Sequence, residues 1–151
     1  MEPTILFDTD SLTVSENILS KIRQGDWQYI LNGICCIRDN ALFVDCIYIK
    51  HFATIQTHQM IIDLIANNID KVLIMYSKFI VHVNIHSMKL KDVDNNRDFI
   101  RNISKCLKER FPDKLDKCYI YNATTMFSQI LNVISLFIDK DTKEKIQLVK
   151  Y

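Results

Sequence analysis

Four histidines and five cysteines are the side chains of this chain best suited to hold a metal or to act as nucleophiles, and their spacing argues against both roles. His82 and His86 lie four apart in a run that reads as a strand, which puts them on one face but ~13 Å apart. His51 and His58 flank a strand-to-helix connection, with no cysteine or carboxylate pair at a zinc-type spacing. No G-x-S-x-G elbow is present. Cys35, Cys36, Cys46, Cys106 and Cys118 make an odd count, three of them inside apolar runs, so reduced and mostly buried thiols are expected. Asp92 and Asp94 fall in a charged stretch read as a solvated loop. Asp45 interrupts an apolar strand, as a carboxylate at a strand end or on the more exposed face does. No catalytic residue, metal or cofactor is assigned, and the chain is expected not to be an enzyme.

A different arrangement stands near the end of the chain. From Thr125 to Ile138 the apolar residues Met126, Phe127, Ile130, Leu131, Val133, Ile134 and Phe137 follow helical spacing and cover more than one face. A polar turn at 139–142 follows, then Lys143, Lys145 and Lys150. Read plainly, this is a covering helix with a solvated lysine edge. Read functionally, it is a helix that closes an apolar pocket and meets a membrane, with lysines on phosphate headgroups.

Other elements must position that unit. Met1–Asp10 reads as an extended arm with a short strand at Thr4–Phe7. Two helices follow, at about Ser15–Gln24 and Asp26–Ile34, with Trp27 as a core anchor. Asp39-Asn40 is a turn signal. Ala41–Ile49 reads as a strand buried on both faces. Thr57–Ser77 has the stripe of an amphipathic helix, with a break at Asn67-Asn68. Phe79–Ile85 is the next strand, 89–94 a loop, and Arg97–Arg110 a helix ended by Phe111-Pro112. Cys118–Tyr121 and the stretch around Lys145-Ile146 are the last strands. Strands alternating with helices predict an α/β fold with a largely parallel, helix-covered sheet.

The 151 residues, 48% hydrophobic and 25% charged, suit one globular domain: an N-terminal arm and helices over 1–35 and a core over 36–151. The net charge of +1 provides no global drive toward nucleic acid. With two glycines there is no phosphate-cradling loop, and no apolar run approaches the ~18 residues of a membrane span. No signal peptide opens the chain, so a cytoplasmic protein is expected, peripheral at a membrane if it meets one. Abundant isoleucine, lysine and asparagine fit an AT-rich genome, such as that of a virus or protist.

The run Phe111-Pro112-Asp113-Lys114-Leu115-Asp116-Lys117-Cys118-Tyr119-Ile120-Tyr121-Asn122-Ala123, the helix ending Leu136-Phe137-Ile138-Asp139, and Thr142-Lys143-Glu144-Lys145-Ile146 together resemble the core signature of CRAL-TRIO lipid-binding domains. These are also the domains of phosphatidylinositol/phosphatidylcholine transfer proteins. The resemblance extends back to about residue 36. It implies a CRAL-TRIO-like fold and a non-enzymatic module that binds a phospholipid, in particular a phosphoinositide, or another hydrophobic ligand. Carried across by position, Lys145 matches a lysine associated with phosphoinositide headgroups and Asp113 an acidic residue of the same polar site. Lys89 and Lys91 fall near headgroup-loop positions. Met126, Phe127, Ile130, Ile134 and Phe137 match pocket-lining or gate-helix positions. Asn84 stands where the family usually has aspartate, and Thr124 where it has proline.

Two functions follow. In the first, a phospholipid or membrane surface is the partner and the Thr125–Ile138 helix is the gate. In the second, the fold serves as a cavity-less scaffold, close in extent to the short BCH-type branch, with a homodimer or another protein as its partner.

Overall fold

The structure, a computed structural model, describes residues 7–86 and 88–149. The expected strand at Thr4–Phe7 (Phe7 aside) and Lys150 lie outside them. Helices α1 (Ser11–Gln24) and α2 (Trp27–Ile34) lead into a hairpin of β1 (Cys35–Arg38) and β2 (Ala41–Asp45). Then come α3 (Cys46–Phe52), α4 (His58–Met75), β3 (Phe79–Asn84), α5 (Leu90–Asn95), α6 (Arg97–Arg110), β4 (Leu115–Tyr121), α7 (Phe127–Ile134), α8 (Lys140–Glu144) and β5 (Ile146–Leu148). The strands form one sheet in the order β1-β2-β3-β4-β5, with β1 antiparallel to β2 and the rest parallel.

Local chemistry sets most boundaries. Asp10 accepts from the Thr13 amide and caps α1, so this helix starts at Ser11 rather than Ser15. Gly25 closes α1 in the left-handed region at φ 69°, and Asp26 caps α2. Asp39 takes φ 56° in the two-residue hairpin turn. The strand expected over Ala41–Ile49 stops at Asp45, whose carboxylate accepts from the Ile47 amide and starts α3. The stretch 89–94 is not a loop throughout: Lys89 N–H donates to Asp92 at 2.9 Å and starts α5. α4 runs unbroken through Asn67-Asn68, because Asn68 turns inward and donates to the Cys35 carbonyl at 3.3 Å. Trp27 is no core anchor; it is 49% exposed and leans on Phe52. Among the thiols Cys36 is exposed.

One sheet face carries the core. Leu42, Val44, Phe79, Val81, Val83 and Leu115 pack with α4 (Ile61, Ile65, Ile69, Val72) and α6 (Phe99, Ile103, Leu107). Right-handed crossovers between parallel strands added in sequence place the connecting helices on one side. β4 reaches its alternation through a bulge: Phe79 pairs with Leu115 but Ile80 with Lys117, and Asp116 is the extra residue.

At Gly33 the helix backbone meets the Tyr48 ring so closely that a Cβ would collide with it. Gly33→Ala is expected to destabilise the protein by about 1–3 kcal/mol through overpacking. The check is urea denaturation of both forms; an unchanged midpoint would show that Tyr48 swings aside freely.

Candidate functional site

Side chains alternate along a strand, and register partners share a face. The sheet face opposite the core therefore carries three rows. At the amino ends of the parallel strands lie Arg38, Ala41, Ile80 and Lys117; in the middle lie Cys36, Phe43, His82, Tyr119 and Gln147; at the carboxyl ends lie Asp45, Asn84 and Tyr121.

The middle row is an aromatic ladder. Phe43 and His82 stack at 4.7 Å between centroids and 12° between planes, and His82 and Tyr119 at 5.3 Å and 17°. Tyr121 Oη lies 2.7 Å from His82 Nδ1. Burial lowers the His82 pKa below the ordinary histidine value, which favours the uncharged ring. Phe7 rests on the ladder, 6.3 Å from Phe43 and 5.4 Å from Tyr121. Beside it a cavity of about 260 Å³ opens between the sheet and α1–α3, bounded by Phe7, Asp8, Tyr29, Arg38, Phe43 and Tyr48 among others.

The carboxyl-end row is a closed polar network. Asn84 is 1% exposed. Its Nδ2 donates to Asp45 Oδ1 at 3.1 Å, and its Oδ1 accepts from Asn122 Nδ2 at 2.9 Å and from the His86 amide at 3.0 Å. Asn122 holds φ 60°, the left-handed turn that ends β4. Burial pushes the Asp45 carboxyl up to about 6, opposed by the hydrogen bonds from Ile47 and Asn84. Beyond it, Ser11 Oγ sits 2.6 Å from His86 Nδ1 and His51 Nε2 2.9 Å from Ser15 Oγ.

The residues singled out in the sequence fall in three places. Lys145 ends α8 just before β5 and pairs with Asp141 at 3.2 Å. Asp113 is exposed in the turn before β4, at φ 59°. Both belong to the amino ends of the strands. Lys89 and Lys91 begin α5 at the carboxyl end of β3, which is on the order of 20 Å along a six-residue strand from the other two. The helix expected over Thr125–Ile138 is shorter, Phe127–Ile134, and packs mainly on α5. Ile130 is 1% exposed and Met126 42%, while Phe127 and Ile134 are half-buried. Phe137 lies beyond the helix under the Arg101 guanidinium, 5.4 Å away, beside α6.

A family model described as the CRAL/TRIO domain matches residues 37–151. The chain belongs to the CRAL/TRIO domain family. Solved structures share the fold: the crystal structure of Sfh5 aligns with a TM-score of 0.65 at 14% identity, covering 77% of this chain and 46% of that one. The chain thus spans a little under half the length of that protein. No curated protein matches the sequence. Domains of this family are, in general terms, lipid-binding modules. Among the described residues no helix is long and apolar enough to cross a membrane.

The Asp45 network yields a pH-dependent expectation. Its folded pKa, about 6, lies above the ordinary aspartate value of about 3.9. The folded state therefore holds the proton more tightly; this contribution is complete below about pH 4 and is lost as pH rises through 6, a span worth on the order of 2–3 kcal/mol. Both Asp45 hydrogen bonds use Oδ1, which asparagine retains. Asp45→Asn should raise the melting temperature at pH 8 by several degrees and give a much smaller gain at pH 4.5. Thermal scans at the two pH values decide it, and a pH-independent difference would contradict the assignment.

Proposed function

We propose that this CRAL/TRIO domain binds an amphipathic lipid on the aromatic face of its sheet, beside Phe43, His82 and Tyr119, and that it does so without catalysing a reaction. The observation that carries this reading is the pairing of a half-buried aromatic ladder with an adjoining cavity, on the face that α4 and α6 leave uncovered. Ligand sites are typically concave and mostly apolar, with a few placed polar groups. Transfer of the ligand to and from a membrane surface belongs to the same reading. A phosphoinositide headgroup at Lys145 is the version carried over from the family, with Asp113 near the same strand ends.

Native mass spectrometry of the full chain after incubation with phosphatidylcholine and phosphatidylinositol vesicles should show a one-to-one lipid adduct. Tyr119→Asp, which places a charge in the ladder, should weaken it at least tenfold. If Met126→Asp abolishes the adduct and Tyr119→Asp does not, the ligand lies along α7 instead. Absence of any adduct in the unmodified protein overturns the reading.

A second reading, a protein-contact module, draws on Ile74 and Met75 at the end of α4, both 81% exposed, beside the partly exposed Tyr76. Exposed apolar patches mark interaction sites. Light scattering of a concentrated sample should then show a dimer that Met75→Asp dissolves; a strict monomer at every concentration counts against it.

A further inference from the structure

From the charges along the aromatic face we infer that the ligand is a single-chain anionic amphiphile, a carboxylate or phosphate monoester, whose head lies between Arg38 and Lys117 and whose chain runs along Phe43 and His82. The inference rests on the ligand site proposed above and specifies which end of it takes the charge.

The placement follows from the register. Arg38 pairs with Ala41, Ala41 with Ile80, and Ile80 with Lys117, so two cations stand on one face with only Ala41 and Ile80 between them. The bulge at Asp116 is what turns Lys117 to this side; without it Lys117 would face the core opposite Val81. The Arg38 guanidinium lies over the Phe43 ring at 5.2 Å, which fixes it beside the ladder and on the cavity wall. Among the described residues neither Arg38 nor Lys117 forms an ion pair, whereas six other cations do.

The opposite end of the face has the opposite sign. Asp8 borders the cavity, Asp45 closes the strand ends, and the Asp8 charge adds to the burial that raises the Asp45 carboxyl. An anionic head is thus repelled from the carboxyl ends and attracted to the amino ends. From Ala41 to Asp45 is four strand steps, ~13 Å, which gives the chain its run past Phe43. The cavity, about 260 Å³, lies below the ~300–1,000 Å³ typical of ligand pockets. That favours one chain over a diacyl lipid. Guanidinium and ammonium both bind carboxylate and phosphate through charge-assisted hydrogen bonds, so either head satisfies the site.

The test is equilibrium binding of radiolabelled oleate, oleoyl lysophosphatidate and oleyl alcohol to the full chain, below their micellar concentrations. Arg38→Gln and Lys117→Gln should each weaken binding of the anionic ligands at least tenfold and that of oleyl alcohol less than twofold, and Lys71→Gln, on exposed α4 surface, should change neither. The larger loss, for oleate or for lysophosphatidate, tells carboxylate from phosphate. If all three probes bind and the variants treat acid and alcohol alike, the inference is overturned while the lipid site stands. An effect confined to Lys145→Gln also overturns it. If none of the probes binds but a diacyl lipid adduct forms, the single-chain assignment is wrong; if neither forms, the ligand site itself fails. Circular dichroism of both variants separates lost binding from lost folding.

Discussion

One buried carboxamide ties the strand ends together. Asn84 donates to β2 through Asp45 and accepts from the turn after β4 through Asn122, so the carboxyl ends of three parallel strands converge on a single side chain. Leaving such a group unpaired costs roughly 1–3 kcal/mol, and a polar network in the interior is favourable only when every member is satisfied. Among the described residues no buried side-chain nitrogen or oxygen lacks a partner. Because Asp45 also caps α3, the same network directs the chain as it leaves β2, and hence the placement of Tyr48 against Gly33.

The sheet consequently divides its work between two faces. The core face is isoleucine, valine and leucine against α4 and α6, and its contribution is burial. The other face carries rings, amides and charges in ordered rows, and much of it is only half-buried. Rigid central strands hold these rows, which positions side chains more tightly than loops do. Phe7, packed on the ladder between Phe43 and Tyr121, already covers part of this surface with the chain's own residues.

Long periodic segments were legible in the sequence. α6 begins and ends where its apolar stripe and Pro112 place it, and α4 and β3 differ by a residue or two. The motif around Phe111–Ala123 pointed to the family and therefore to the α/β fold. The hairpin strand β1 was not legible, because Cys35–Arg38 continues the apolar spacing of α2 without a break and has only four residues. Nor was the end of β2: a continuous apolar run does not distinguish strand from helix, and the decision fell to the Asp45 cap. The ladder and the network depend on register, which no single segment carries. A signal did exist: ALFVD, FIVHVN and CYIYN each close an apolar run with one Asp or Asn, the mark of strands ending at a common polar row.

The bulge in β4 has a consequence for how this sequence tolerates changes in length. Asp116 is the one residue of the strand without its own partner on β3. Loss of that codon would leave Leu115 facing the core and Lys117, Tyr119 and Tyr121 facing outward. Loss of one codon anywhere from Cys118 to Tyr121 would invert every residue on one side of the cut. Insertions and deletions in related chains should therefore be absent from most of this strand and gather at one point, which makes the alignment gap itself a record of which face of the sheet is under selection.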